Sequence, residues 1–342
     1  MRAFALPSAD SEPTVTEVVA DPTPGTREVL VRVAASSLNG FDASVASGRL
    51  HGMMEHRFPV VLGKDFAGTV EAVGEGASRF AVGDAVFGVV MKPHLGDGGI
   101  GELLVVDQDN CIAAVPDEVD LAAAGALGLA GTAAVDALAA ADLQPGRTVL
   151  ISGATGGVGA LAIQYAATTG ATVIATAKPG EETDFVTGLG AQHTVDYTGD
   201  VAAQVRAIAP DGVDAIVHLA GDGAALADLL AADGKIASTL GYGADQHPAA
   251  VFVMANPSAE TLQRLAADVA AGRIRVPVTA TYTLEQAPQA LTDYRSGALG
   301  KLAIQKKLFP RLGYGETGEC CCHVVGLQRH GRRRHRNAAL PA

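Results

Sequence analysis

Cysteine is scarce where a fold would need it. Cys111 stands alone in the first 307 residues, so no disulfide can close there, and an oxidising compartment is not required. Met1–Asp10 lacks a long apolar core, so no secretory signal is expected. No run of about 18 apolar residues is apparent, so no transmembrane helix is expected. Charge is sparse, at 18% of the 342 residues, and its balance is acidic at −12. Residues 308–342 carry six arginines against Glu316 and Glu319, or +4, which leaves −16 on the first 307. An acidic body argues against nucleic acid as a partner. These absences together suggest a cytoplasmic protein that engages neither nucleic acid nor a membrane.

Apolar residues, by contrast, make up 48% of the chain, enough for a large core. The length exceeds most single-core domains and suggests two. The first 120 or so residues read as β-rich. In "EVLVRVA" (28–34) valines alternate with other residues, and further strands are expected at 68–73, 82–89, 101–106 and 111–115. A short helix is expected around Phe41–Ser47. The texture then changes. Residues 120–141 are rich in alanine and leucine and favour helix. Apolar strands at Val149–Ser152 and Thr172–Ala177 flank a helix over Ala160–Thr169. Strands near 214–219 and 235–240 follow, with helices near 223–232 and 258–271. Such alternation implies a parallel, doubly wound sheet. After Gly272 come a strand, a short helix and a last strand, whose spacing alone does not say which domain they join.

The strongest motif lies between the first two apolar strands: Gly153-Ala154-Thr155-Gly156-Gly157-Val158-Gly159. Glycines at a strand-to-helix turn let backbone approach a pyrophosphate, and the helix N-terminus offers it free N–H groups. A nicotinamide dinucleotide is the expected ligand. An NAD site would place an acid at the end of the second strand to hold the ribose 2′-OH. Here that strand ends "IATAKPGEE", with Lys178 where a cation meets a 2′-phosphate, so NADPH is expected. Glu181 and Glu182 follow closely and count against it. Two other strand ends, "HLAG" with Leu219 and Ala220 and "TLGY" with Leu240 and Gly241, fall at the carboxyl edge of the sheet, where the nicotinamide is expected. His218 reads as a satisfied core histidine.

Residues 308–342 break every pattern and read as a disordered extension. A metal site from Cys320, Cys321, Cys322 and His323 with His330 or His335 is the sharper alternative. Consecutive cysteines are poorly spaced for one tetrahedral ion. An arginine patch for phosphate or membrane is a third reading.

Several segments in order resemble the zinc-independent quinone oxidoreductases, the ζ-crystallin group of the medium-chain dehydrogenase/reductase superfamily. They run from "VLVRVAASSLNGFD" through "LGKDFAGTVEAVGEGASRFAVGDAVFG", "LQPGRTVLISGATGGVGALAIQYA", "GAQHTVDY" and "VMANP" to "GALGKLAIQ". The resemblance implies an α/β protein: a GroES-like β-rich catalytic domain (1–121, completed by 272–307) and a doubly wound, parallel-sheet Rossmann cofactor domain (122–271). It implies that Tyr197, in "VDY", lies at the adenosine phosphate end, with a ring packed between sheet and helix as the alternative. It also implies that "VFVMANP" is an edge strand pairing across a homodimer.

The resemblance also shows what is missing. Zinc alcohol dehydrogenases of the superfamily place a cysteine at Asn39, a Ser or Thr relay at Phe41, and a His-Glu pair at Lys64-Asp65. Their remaining ligand would fall near "GLAGTA" (128–133), which has neither cysteine nor acid. An ammonium cannot ligate Zn²⁺, so no metal site is expected. The short-chain route is also disfavoured, since none of the six tyrosines has lysine four residues later. The expected chemistry is hydride transfer from NADPH to a quinone or an α,β-unsaturated carbonyl. Asn39 is a candidate donor to a carbonyl oxygen. Asp42 is a candidate buttress of the loop. Lys64 is either a donor to the developing oxygen anion or half of an ion pair, though not with Asp65, since neighbours in a strand point to opposite faces. An NADPH-binding sensor with little turnover is the alternative, as is an enoyl reductase. The latter is weakened by Glu181, which stands in "KPGEE" where some such enzymes carry lysine.

Overall fold

A long first strand explains the architecture. Val29, Val31 and Val33 turn into the core while Leu30 and Arg32 lie half-buried on the other face. The computed structural model describes residues 1–17 and 19–306, which belong to one compact unit; the readings made of 308–342 lie outside the described residues. The β-rich part comprises β1 (Ala3–Leu6), β2 (Thr14–Thr16), β3 (Glu28–Ser37), α1 (Gly40–Ala46), β4 (Glu55–His56), β5 (Val60–Val61), β6 (Asp65–Val73), β7 (Ala85–Val89), β8 (His94–Leu95), β9 (Leu103–Asp107) and β10 (Ile112–Ala114). The long helix α2 (Leu121–Ala140) follows.

The cofactor part comprises β11 (Thr148–Ser152), α3 (Gly157–Thr168), β12 (Thr172–Thr176), α4 (Glu181–Thr187), β13 (His193–Val195), α5 (Val201–Ile208), β14 (Val213–His218), α6 (Gly223–Ala227), β15 (Leu230–Ser238), β16 (Ala250–Phe252) and α7 (Ala259–Ala270). Its six strands are all parallel, in the order β13-β12-β11-β14-β15-β16. The order reverses between β11 and β14, and such switch points open a crevice at the carboxyl ends of the strands. Val149, Leu150 and Ile151 are buried on both faces, as a central parallel strand requires.

The chain returns through β17 (Val278–Thr283), α8 (Ala287–Arg295) and β18 (Lys301–Gln305). β18 pairs antiparallel with β3, so the return joins the first sheet, ordered β10-β7-β6-β3-β18-β17, with β9 also paired to β3. It also touches the glycine loop, where Gly300 N–H donates to Thr155 O at 2.7 Å.

Three expectations need correction. Helix α3 begins at Gly157, not Ala160, because the glycine loop itself forms its first turn. The helix expected near 223–232 ends at Ala227, and Leu230 already opens β15, because pairing to β14 overrides the helical propensity of the alanines. Helix α2 is apolar and long enough to cross a membrane, contrary to the expectation that no such run exists. It is mostly buried instead, packed on β3 and β6 on one side and on α3 and α7 on the other, which accounts for its lack of a polar face.

Candidate active site

The glycine loop fits a dinucleotide on backbone grounds. Gly153 leaves β11 with φ +70°, a conformation that disfavours any side chain. Its N–H donates to Thr176 Oγ1 at 3.0 Å, tying the loop to the end of β12. A Cβ at Gly159 would press into the Gly153 carbonyl oxygen and lie 2.6 Å from Ala154 Cα, so only glycine lets α3 sit this close to the strand. A Cβ at Gly156 would meet only the Gly153 oxygen, at 3.6 Å, so its backbone lies open to a phosphate. Ala154 is buried and Val158 packs on the core, so both face inward and only their backbone is available to a ligand.

At the switch point lies a cavity of about 500 Å³ lined by Gly153, Thr155, Thr176, Tyr197 and Ala220. Its shape is braced by Ser152, whose hydroxyl donates to Ala220 O at 2.7 Å. Leu219 is half-buried beside it, while Leu240 and Gly241 are exposed beyond β15 at the same sheet edge. His218 is buried and engaged by Ser238 Oγ at 3.0 Å and Gly221 O at 3.1 Å, a satisfied core histidine as expected.

Just past β13, Tyr197 is 44% exposed, which corrects the alternative of a ring packed between sheet and helix. Its hydroxyl donates to Glu182 Oε1 at 3.0 Å, and Lys178 N–H donates to Glu182 Oε2 at 2.8 Å. The Lys178 ammonium lies 5.1 Å from the centre of the Tyr197 ring.

The second cluster surrounds Asp65, at the start of β6. Its Oδ1 accepts from Leu129 N–H of α2 at 2.8 Å. Its Oδ2 accepts from Ser37 Oγ at 2.7 Å, Asn39 Nδ2 at 2.9 Å and Lys301 Nζ at 3.4 Å. Lys301 also donates to Asn39 Oδ1 at 2.6 Å and Leu38 O at 3.1 Å. Lys301 is 2% exposed and Asp65 fully buried. Burial depresses the Lys301 ammonium, and the charges of Asp65 and Asp42 oppose that shift. The Lys301 stem fills the space where a Gly157 side chain would stand, so this cluster abuts the glycine loop.

Asn39 is therefore committed at both ends of its amide, one N–H to Asp65 and the oxygen to Lys301, which differs from the free donor the sequence suggests. Asp42 braces the loop. Its two oxygens accept from Asn39 N–H at 2.9 Å and Gly63 N–H at 3.0 Å. Burial, and then repulsion from Asp65, push its carboxyl up to about 6. Lys64 and Asp65 point apart: Lys64 lies in the bend just before β6 and its ammonium reaches Val90 O, whereas Asp65 turns toward Ser37 and Asn39. Among the described residues Lys64 pairs with no carboxylate: its ammonium donates to Val90 O at 2.5 Å and lies 4.6 Å from the centre of the Phe41 ring. Burial lowers its pKa, and Asp42, Cys111 and Asp65 oppose that shift. Lys64 lines a small cavity with Phe41, Val90 and Leu95.

Residues 25–117 match the alcohol dehydrogenase GroES-like domain, and 189–304 match the family described as zinc-binding dehydrogenase. The quinone oxidoreductase of Sus scrofa is 30% identical over 313 residues, 84% of this chain and 91% of that protein. The chain is a quinone-oxidoreductase-like member of the medium-chain dehydrogenase/reductase superfamily. The chloroplast envelope quinone oxidoreductase homolog of Arabidopsis thaliana is 36% identical over 205 residues, 58% of this chain but only 61% of the plant protein's length. The quinone oxidoreductase of Coxiella burnetii superposes with a TM-score of 0.79 at 26% identity, covering 89% of this chain and 99% of that one. Two members of the buried cluster escape a reading of the sequence alone, Lys301 and Ser37. The available signal is the lysine itself, a charge inside the otherwise apolar "LGKLAI".

Proposed function

We propose that the protein transfers hydride from NADPH to a quinone or an α,β-unsaturated carbonyl, without catalytic zinc. The observation that carries the zinc-free reading is the saturation of Asp65. A carboxylate has about four acceptor sites, and here four donors from Ser37, Asn39, Leu129 and Lys301 converge on it. With three donors on Oδ2 and one on Oδ1, both oxygens of this buried carboxylate are engaged, and a fixed ammonium beside it repels a cation. Among the described residues, no three His, Cys, Asp or Glu side chains gather as metal ligands.

Bound at the glycine loop, the reduced nicotinamide would supply the hydride. Gly153, Thr155, Gly156 and Gly157 would hold its phosphates by backbone, with Leu219, Ala220, Leu240 and Gly241 along the nicotinamide end. Lys178 and Tyr197 would meet the 2′-phosphate. Lys64, which lines a cavity with an ammonium held by the Val90 carbonyl and the Met91 sulfur, would donate to the oxygen anion that develops on the acceptor. Asn39 and Asp42 act as positioning residues. The exposed side chains of Val251, Phe252 (48% exposed) and Met254 (76% exposed) at the sheet-edge strand β16 support pairing with a second copy, and we propose a cytoplasmic homodimer. Following NADPH and NADH oxidation in parallel on a panel of quinones and enones tests the activity. Tight NADPH binding without turnover on any acceptor would instead favour a sensor.

A further inference from the structure

Of the two side chains suited to a 2′-phosphate, the Tyr197 hydroxyl is already bonded to an anion of the chain itself, and the Lys178 ammonium lies over the ring of that tyrosine. Glu182 spends both carboxylate oxygens there, one on the Tyr197 hydroxyl at 3.0 Å and the other on Lys178 N–H at 2.8 Å. The Lys178 ammonium rests over the Tyr197 ring beside it, and Glu182 is among the charges acting on that ammonium. Tyr197 shares a cavity wall with Gly153 and Thr176, so this carboxylate sits at the edge of the cofactor groove, just beyond the end of β12.

That is also where an acid would hold the 2′-OH of NADH. Glu182 lies six residues past Thr176, the last residue of β12, but the turn through Pro179 and Gly180 folds it back onto the backbone of Lys178. A carboxylate in this place accepts a bond from a ribose hydroxyl and repels a phosphate dianion. Its partners do the opposite, since an ammonium and a phenol favour the dianion.

We propose that Glu182 is a specificity-determining residue that stands in for the 2′-phosphate. It holds Lys178 and Tyr197 in place when no phosphate is present, must withdraw for NADPH, and leaves NADH acceptable as a donor. This rests on the cofactor reading above. The outcome is a protein of relaxed cofactor preference, poised between the two donors by one side chain.

The test is calorimetric titration of NADPH and NADH against the full chain and its Glu182→Gln variant. Glutamine keeps the size and an acceptor but removes the charge. The variant is expected to bind NADPH about tenfold more tightly, with NADH unchanged or weaker. Adding Lys178→Met to Glu182→Gln should abolish the gain, which a general loosening of the loop would not do. Equal effects on both cofactors, or no change while both bind, would overturn the assignment of Glu182 alone. Failure of either cofactor to bind the unaltered chain would overturn the dinucleotide reading and this one with it.

Discussion

Replacing Lys301 with methionine would remove the one cation among the described residues that donates to Asp65. Methionine preserves most of the stem that packs against Gly157, so the packing loss is small. The electrostatic loss is not. Asp65 is fully buried and Lys301 2% exposed, so water cannot take over from the ammonium. Asp65 would keep its donors from Ser37, Asn39 and Leu129 but lose its counter-charge. Asn39 Oδ1 and Leu38 O would lose their bonds of 2.6 and 3.1 Å as well. Removing one partner of a buried pair costs about 3–5 kcal/mol. Three remaining neutral donors place the expectation near the lower end, about 3 kcal/mol. For a chain this long, that lowers the melting temperature by roughly 4–5 °C. Urea and thermal unfolding at neutral pH measure it. Combining Lys301→Met with Asp65→Asn should cost clearly less than the sum of the two single changes, since the two side chains touch. A loss below about 1 kcal/mol, or strict additivity, would refute the claim that this pair organises the site.

Three further outcomes are expected. Lys64→Met should lower kcat about 100-fold on the best acceptor while leaving NADPH affinity unchanged, and full turnover would make Lys64 structural. Gly159→Ala should weaken cofactor binding at least tenfold by forcing the loop off α3, an effect of about 1.4 kcal/mol or more measured by calorimetry; unchanged binding would contradict the close approach. Asp42 has a folded pKa raised to about 6 from 3.8, so its contribution is full below about pH 4 and is lost as pH rises through 6. The stability of the wild type relative to Asp42→Asn should therefore fall by about 2.4 kcal/mol between pH 4 and pH 7, read from urea midpoints; a flat difference would show that Asp42 is not buried in this way.

The glycine loop was legible because its requirements are local: an apolar strand, a turn needing glycine and a helix, all within twelve residues of sequence (148–159). The parallel, doubly wound character of the second sheet followed from the alternation of strand and helix, whereas the order of its strands comes from the structure. The Asp65 cluster was only half legible. "LGKD" exposed Asp65 as a charge in an apolar run, but its counter-ion lies 236 residues away and arrives only when β18 pairs with β3. For the same reason Asn39 looked free. The partners of its side-chain amide, Asp65 and Lys301, come from β6 and β18. Glu182 was visible as an acid near Lys178, but its grip on Tyr197 depends on β13 lying beside β12. The short α6 was misjudged because alanine-rich propensity says nothing about a strand waiting for a partner.

The central claim is hydride transfer to an organic acceptor without a metal, and one measurement addresses it most directly. The full chain, treated with a chelator and analysed for metal, is assayed for NADPH oxidation coupled to formation of a hydroquinone or saturated ketone. Sustained turnover in protein free of stoichiometric zinc is the predicted result. Activity that vanishes on chelation and returns with added zinc would contradict it.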